Sequence, residues 1–164
     1  MTTGDMFMRV EASRSGAIQG ESTDDRHRGE IVVRGWSCGM HSPAGAGSSA
    51  GPTGRTSFDA LRITKRPDSA STKLMAALRD NEILREVVLS VRRPGPQPLD
   101  HLVVVGQMGR VVELTLATGP DPEEPLVESL AFVFARITVE YRAQDETGRP
   151  GTGSSFTAET RQLV

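Results

Sequence analysis

The sequence predicts a mainly β fold: one small closed β-barrel of about seven or eight strands, with one α-helix on its flank. Three observations carry this. Short apolar segments separated by turn residues dominate the chain. One stretch alone has helical spacing, with Leu74, Ala77 and Leu78 on a common face. The longest strand pattern changes parity midway, as a bent sheet requires.

In chain order, residues 6–10 read as a first strand, and 30–36, rich in Val and Ile, as a second. Residues 42–54 contain only Ser, Pro, Ala, Gly and Thr. Nothing there can build a core, so this segment is expected as a protruding surface loop. Residues 58–63 alternate partly, as a strand does. Asp68 and Ser71 supply helix-start chemistry, because their side chains can accept the free amide protons of a first turn. The helix is expected over roughly 70–80. Val87, Leu89 and Val91 alternate with Val88, Ser90 and Arg92, and the prolines at 94, 96 and 98 stop that strand. Residues 99–105 and 111–116 flank Gly106, Gln107, Met108 and Gly109, which read as a hairpin turn. Over 127–142, Leu130, Phe132 and Phe134 share one parity, whereas Ile137, Val139 and Tyr141 share the other. A bulge near Ala135 and Arg136 accounts for the switch. A short last strand is expected over 154–160.

A length of 164 residues suits a single domain, here 1–164, with about 70% of the unfolded surface buried. The formal net charge of −2, with short and scattered basic clusters, argues against nucleic-acid or anionic-lipid partners. Five Phe, one Tyr and one Trp leave no aromatic platform for single strands. The lone cysteine, Cys38, precludes an internal disulfide and suits a reducing compartment. The N-terminal residues lack a basic, then apolar, secretory leader, and no run of about 18 apolar residues spans a membrane. The chain therefore reads as made in the cytoplasm, and any export as independent of a signal peptide.

Catalytic chemistry has no candidate. Cys38 and His41 have C-x-x-H spacing, but with His27 and His101 they lack the closing pair of a zinc site, so no metal is expected. In a phosphate-loop register, residues 49–56 put Ser49 in place of the first glycine and Arg55 in place of the lysine, with no strand before and no helix after. The acidic residues Glu21, Asp24 and Asp25 lack the alternating ligand ladder of a calcium loop. No Gly-x-Ser-x-Gly elbow occurs. The expectation is a non-enzyme with no cofactor.

One ordered set of residues suits none of these chemistries. Gly20, Glu21 and Ser22 precede Asp24, then His27, then Gly29 and Ile31 in a strand ending at Trp36. The Gly/Ser-rich segment follows, then Thr64 and Lys65, then Asp68, Ser69, Ala70 and Ser71 before Leu74. Phe134, Ile137 and Tyr141 close the set. In this order and over nearly the whole chain, the sequence resembles the Hcp tube proteins of bacterial type VI secretion. It departs from them in a longer first turn at 12–17, in Cys38 where a second tryptophan is common, in Thr72 for a helix-start proline, and in Arg66 and Pro67 before Asp68.

That resemblance implies a structural subunit that forms hexameric rings. These rings stack into a hollow tube that carries effectors, driven by sheath proteins behind a VgrG-like spike and secreted without a signal peptide. Beside it, the 42–54 segment becomes a ring-stacking loop, with Ser42, Pro43, Gly45, Gly47, Gly51, Pro52 and Gly54 as its small or stiff residues. The rival expectation is a small-ligand or carbohydrate-binding barrel whose mouth is the polar 20–27 segment. Scarce aromatic rings count against sugar stacking.

Overall fold

The computed structural model describes residues 5–43, 56–95, 98–160 and 162. Eleven strands and one helix are formed among them, in the order β1 (Met6–Ala12), β2 (Gly16–Ile18), β3 (Ile31–Val33), β4 (Gly35–Ser37), β5 (Met40–His41), β6 (Ser57–Phe58), β7 (Leu61–Lys65), α1 (Ser71–Arg79), β8 (Leu84–Arg93), β9 (Leu99–Thr118), β10 (Leu126–Gln144) and β11 (Pro150–Glu159). Nine strands form one antiparallel sheet along the path β2-β1-β8-β9-β10-β7-β4, with β3 added to β1 and β11 to β10. β5 and β6 form a separate pair. The mainly β class with one helix is as expected. The strand count is higher than expected because residues 30–36 split at Arg34, residues 58–63 divide between β6 and β7, and β2 and β5 are unexpected, which outweighs the merging of 99–105 and 111–116 into β9. The hydrogen-bonded path is open, with ends at β2 and β4, so the ladders alone do not close a barrel.

The core follows from the alternation. Met8, Val10, Ile31, Ile63, Leu84, Val87, Leu89, Val104, Leu130, Phe132 and Phe134 are all buried and form one cluster. α1 lays Leu74 on it and also buries Ala77, within the expected 70–80 window. The helix ends where Asn81 takes φ +50°, a left-handed stop that Asn tolerates. None of the described helical segments is long and apolar enough to cross a membrane.

The expected turn at 106–109 is not a turn. β9 runs unbroken from Leu99 to Thr118 and pairs with β10 along most of its length. The two glycines have a different cause. A Cβ on Gly106 or Gly109 would come within 2.4 Å of the Phe134 ring, so they let that ring lie on the β9 backbone. Met108 between them has φ +52°, a kink inside a long strand rather than its end.

On β10 the inward parity does switch, from buried Phe134 to buried Ile137. Pairing passes there from Phe134 with Gly109 to Arg136 with Gln107, opposite the left-handed Met108. The register shift between β9 and β10 lies earlier than expected, at Ala131 and Phe132. The longer first turn is held by Glu82, whose carboxylate accepts from the Arg14 N–H at 2.7 Å, the Ser15 N–H at 2.7 Å and the Ser15 hydroxyl at 2.8 Å. Burial opposes ionisation of Glu82, but these donors outweigh it and hold its pKa below the ordinary value.

Candidate functional site

The motif residues between Gly20 and Trp36 close on themselves. The Gly20 N–H donates to the Gly29 carbonyl at 2.8 Å, the Gly29 N–H to the Ser22 carbonyl at 2.8 Å, and the Ser22 N–H to the Glu30 carbonyl at 3.0 Å. Glycine is required at position 20, because a Cβ there would meet the Glu30 carbonyl oxygen at 2.5 Å. Gly29 has φ +75°, which a side chain would strain. Ser22 is buried, and its hydroxyl accepts from the Asp24 N–H at 3.2 Å. Glu21 points out to solvent.

Asp24 is the hinge of this loop. Its Oδ1 accepts the N–H groups of Arg26 and His27, at 3.0 and 3.2 Å, and its Oδ2 accepts from Arg92 at 2.6 Å. The Arg92 guanidinium, helped by the two amides, outweighs burial and holds the Asp24 pKa at about 2. Arg92 also binds Asp5 at 3.0 Å and lies 5.1 Å from the centre of the Phe7 ring. Phe7 stacks on the His27 ring, with centroids 4.4 Å apart and planes 8° apart. His27 is itself buried. Its Nδ1 faces Glu30 Oε2, and its Nε2 faces Asp100 Oδ2 at 3.1 Å. The loop is thus pinned to β1, β8 and β9, and both imidazole nitrogens are occupied. It has the chemistry of a brace; of the residues expected to form a ligand mouth, Glu21 and Arg26 line clefts, and these are two separate ones. Trp36 is half-buried against the core.

A second cluster joins the later motif residues. Lys65 and Glu128 stand directly opposite each other across β7 and β10, and both are buried. Lys65 Nζ lies 3.1 Å from Glu128 Oε2 and 2.7 Å from Asp68 Oδ1, and donates to the Ser71 hydroxyl at 3.1 Å. The Ser71 hydroxyl donates in turn to Glu128. Asp68 Oδ1 accepts the Ala70 N–H at 3.0 Å, and the Asp68 N–H donates to Ser71 Oγ at 2.9 Å. The expected simple helix cap is therefore corrected: the N-cap residue is Ala70, with no side-chain cap bond, and Asp68 and Ser71 serve a buried ionic network. Sequence reasoning missed Glu128. The available signal was a glutamate at the inward parity of Leu130, Phe132 and Phe134.

Cys38 is half-buried; burial first, then nearby Asp59, pushes its thiol pKa up, away from nucleophilic reactivity. His41 pairs with Asp59 at 3.3 Å on the exposed base of the 42–54 segment. No group of three or more His, Cys, Asp or Glu side chains among the described residues could hold a metal ion. Of the expected stacking residues, Ser42 is exposed and Pro43 partly so. Gly45, Gly47, Gly51, Pro52 and Gly54 lie outside the described residues.

The clefts are shallow and charged at their rims. One of about 340 Å³ is lined by Glu21, Val32, Arg34, Arg66, Pro67 and Asp68, and another of about 340 Å³ lies beside Trp36, Arg62 and Glu113. Arg34 and Arg66 both turn onto Glu124, the former at 2.5 Å.

Residues 7–141 match the family described as type VI secretion system effector, Hcp. Protein hcp1 of Pseudomonas aeruginosa is 27% identical over 150 residues, which cover 91% of this chain and 90% of that protein. Hcp1 from Salmonella typhimurium has the same fold, with a TM-score of 0.77 at 21% identity over 98% of this chain and 97% of its own. Secreted protein Hcp3 from Pseudomonas aeruginosa gives a TM-score of 0.74 at 18% identity over 97% and 99%. With the whole motif set inside the matched span, the chain belongs to the Hcp family of type VI secretion proteins.

Proposed function

We propose that this protein is a non-catalytic structural subunit of a hollow secretion tube, assembled as hexameric rings that stack and carry effector proteins. Sheath proteins and a VgrG-like spike are its partners in this reading. It is made in the cytoplasm and leaves the cell through the machine it helps to build. Family membership supports the role, and one observation on the molecule carries the assembly. The inward face of β10 runs from buried Ile137 to Val139 and then to Tyr141, 42% exposed, while Phe156 on β11, paired with Val139, is 44% exposed. An apolar face that leaves its own core in this way fits burial against a neighbouring copy.

Closure of the barrel belongs to the same reading. β3 pairs with β1, β4 pairs with β7, and Arg34 alone separates them, its N–H donating to the Thr64 carbonyl at 2.8 Å. Residues 31–37 would then complete the ring of strands despite the break in the ladder. The 42–54 segment is the ring-stacking arm. The rival small-ligand barrel has less support, since the 20–27 segment is packed against β1 and β8 and the clefts are shallow.

Sedimentation velocity at micromolar concentration tests the proposal. A particle of six subunits, with rings in negative stain, is the expected result. A stable monomer at that concentration overturns it.

A further inference from the structure

β10 changes partners along one edge. It pairs with β7 from Glu128 to Phe132 and with β11 from Arg136 to Gln144, which leaves 133–135 outside both ladders. Those backbone groups are in a buried stretch and must be satisfied. The C-terminal tail does this. The Thr160 N–H donates to the Ala135 carbonyl at 2.9 Å, and the buried Thr160 hydroxyl donates to the Phe134 carbonyl. Gln162 Oε1 accepts the Phe134 N–H at 2.8 Å. The other half of the same amide, Gln162 Nε2, donates to the Phe58 carbonyl at 3.1 Å.

Phe58 belongs to β6, and the β5–β6 pair stands at the root of the 42–54 segment. Its ladder has only Met40 with Phe58 and His41 with Ser57, extended by the Asp59 N–H donating to the Gly39 carbonyl at 2.9 Å. A pair this short is marginal by itself. It belongs to a different sheet from β10, so something must fix its direction.

We infer that Gln162 is a positioning residue: its side-chain amide latches the β5–β6 pair, between whose strands the 42–54 segment runs in sequence, to β10, so that the C-terminal tail fixes that pair on the body. A primary amide suits the task, because it accepts from one strand and donates to the other at once. The consequence for ring stacking rests on the proposed role of the arm; the latch itself does not.

Two variants of the full chain separate the halves of the amide. In Gln162→Ala, hydrogen exchange of the Phe134 and Asp59 amides should accelerate about tenfold, as loss of a local hydrogen bond implies. Amides of β8 should be unchanged. In Gln162→Glu, the carboxylate still accepts from Phe134 but cannot donate to Phe58, so protection should return at Phe134 and stay low at Asp59. Unchanged exchange at Asp59 in Gln162→Ala overturns the latch, as does equal rescue of both amides by Glu. A loss of protection that spreads into β8 also overturns it, because the tail would then serve the whole fold. If Asp59 opens while rings still stack into tubes, the latch stands and the reading of the arm falls.

Discussion

The two ends of β10 treat burial in opposite ways. Toward its start, a charged side chain, Glu128, is sealed inside against Lys65, with both fully enclosed. Toward its end, apolar side chains, Tyr141 and Phe156, stand in solvent on the face that began as core. The first end shows a molecule that completes itself even where completion requires burying charge. The second shows one left unfinished. Burying an ion pair costs desolvation that only good geometry and added hydrogen bonds repay. Leaving apolar surface exposed forfeits roughly 25 cal/mol per Å². On the proposed assembly, the second end is the part of the chain that a neighbouring copy would cover.

The largest effects should come from breaking the sealed end. Lys65→Ala leaves the buried Glu128 carboxylate, and Asp68 beside it, without a cation and should cost about 3–5 kcal/mol in urea unfolding; Glu128→Ala should cost less, because Lys65 keeps Asp68 at 2.7 Å. The double variant Lys65→Met with Glu128→Leu removes the sealed pair but leaves Asp68 without its cation, so it should recover only part of that loss. If either single change costs under about 1 kcal/mol, water reaches the pair and the contrast collapses. Asp68→Ala, expected from sequence to remove a cap worth about 1 kcal/mol, should instead cost about 1.5–3 kcal/mol, because the lost carboxylate bonds a buried ammonium.

Core aromatic side chains come next. Phe134 is buried and lies over Gly106 and Gly109, so Phe134→Ala should cost about 3–5 kcal/mol and leave a cavity against β9. Gly106→Ala should also destabilise, through overlap with the same ring.

How far these features were legible depends on the kind of signal each left. Alternation exposed β1, β8 and the parity switch of β10, because burial on one face writes itself into a period of two. The helix was legible from Leu74, Ala77 and Leu78. Lys65 was picked out only as a motif residue, not as a buried charge, and Glu128 was not found, although both sit at inward parity, beside Ile63 and Leu130. A charge at such a position reads as a surface residue until its partner across the sheet is known. The stretch 106–109 misled for a related reason. Glycine marks turns and close approaches alike, and only the Phe134 ring, 25 or more residues away along the chain, decides between them. His27 was placed in the right motif, but its stacking on Phe7 and its bonds to Glu30 and Asp100 depend on distant strands.

A smaller effect distinguishes the braced N-terminal loop from both ends of β10. Asp24 titrates at about 2 in the folded protein, below the ordinary 3.8. Its contribution to stability is therefore fully present above about pH 4 and is lost as pH falls through about 2. Asp24→Asn should lower the urea midpoint at pH 7, and the gap from the parent should close as pH approaches 2. A gap that stays constant across that window would show that the loop is held by shape rather than by the Arg92 ion pair.

The smallest effect on folding should come from the unfinished end, and there it is most informative. Phe156 is 44% exposed on β11, a strand whose side chains are almost all exposed. Phe156→Ala removes a ring that the single chain covers only in part, so its unfolding free energy should move by about 1 kcal/mol, well below the cost of a fully buried Phe. That holds only where the measurement reports the isolated chain. If copies bury Phe156 between them, assembly is linked to folding, and apparent stability depends on protein concentration. The parent should then gain stability as concentration rises, and Phe156→Ala should gain less. At low concentration the two curves should differ only by that small amount. At high concentration they should separate, with the variant showing smaller particles in sedimentation. A separation that stays the same at every concentration would mean that this face meets nothing, and the contrast between the two ends of β10 would then describe one chain's irregular surface rather than a place left for a neighbour.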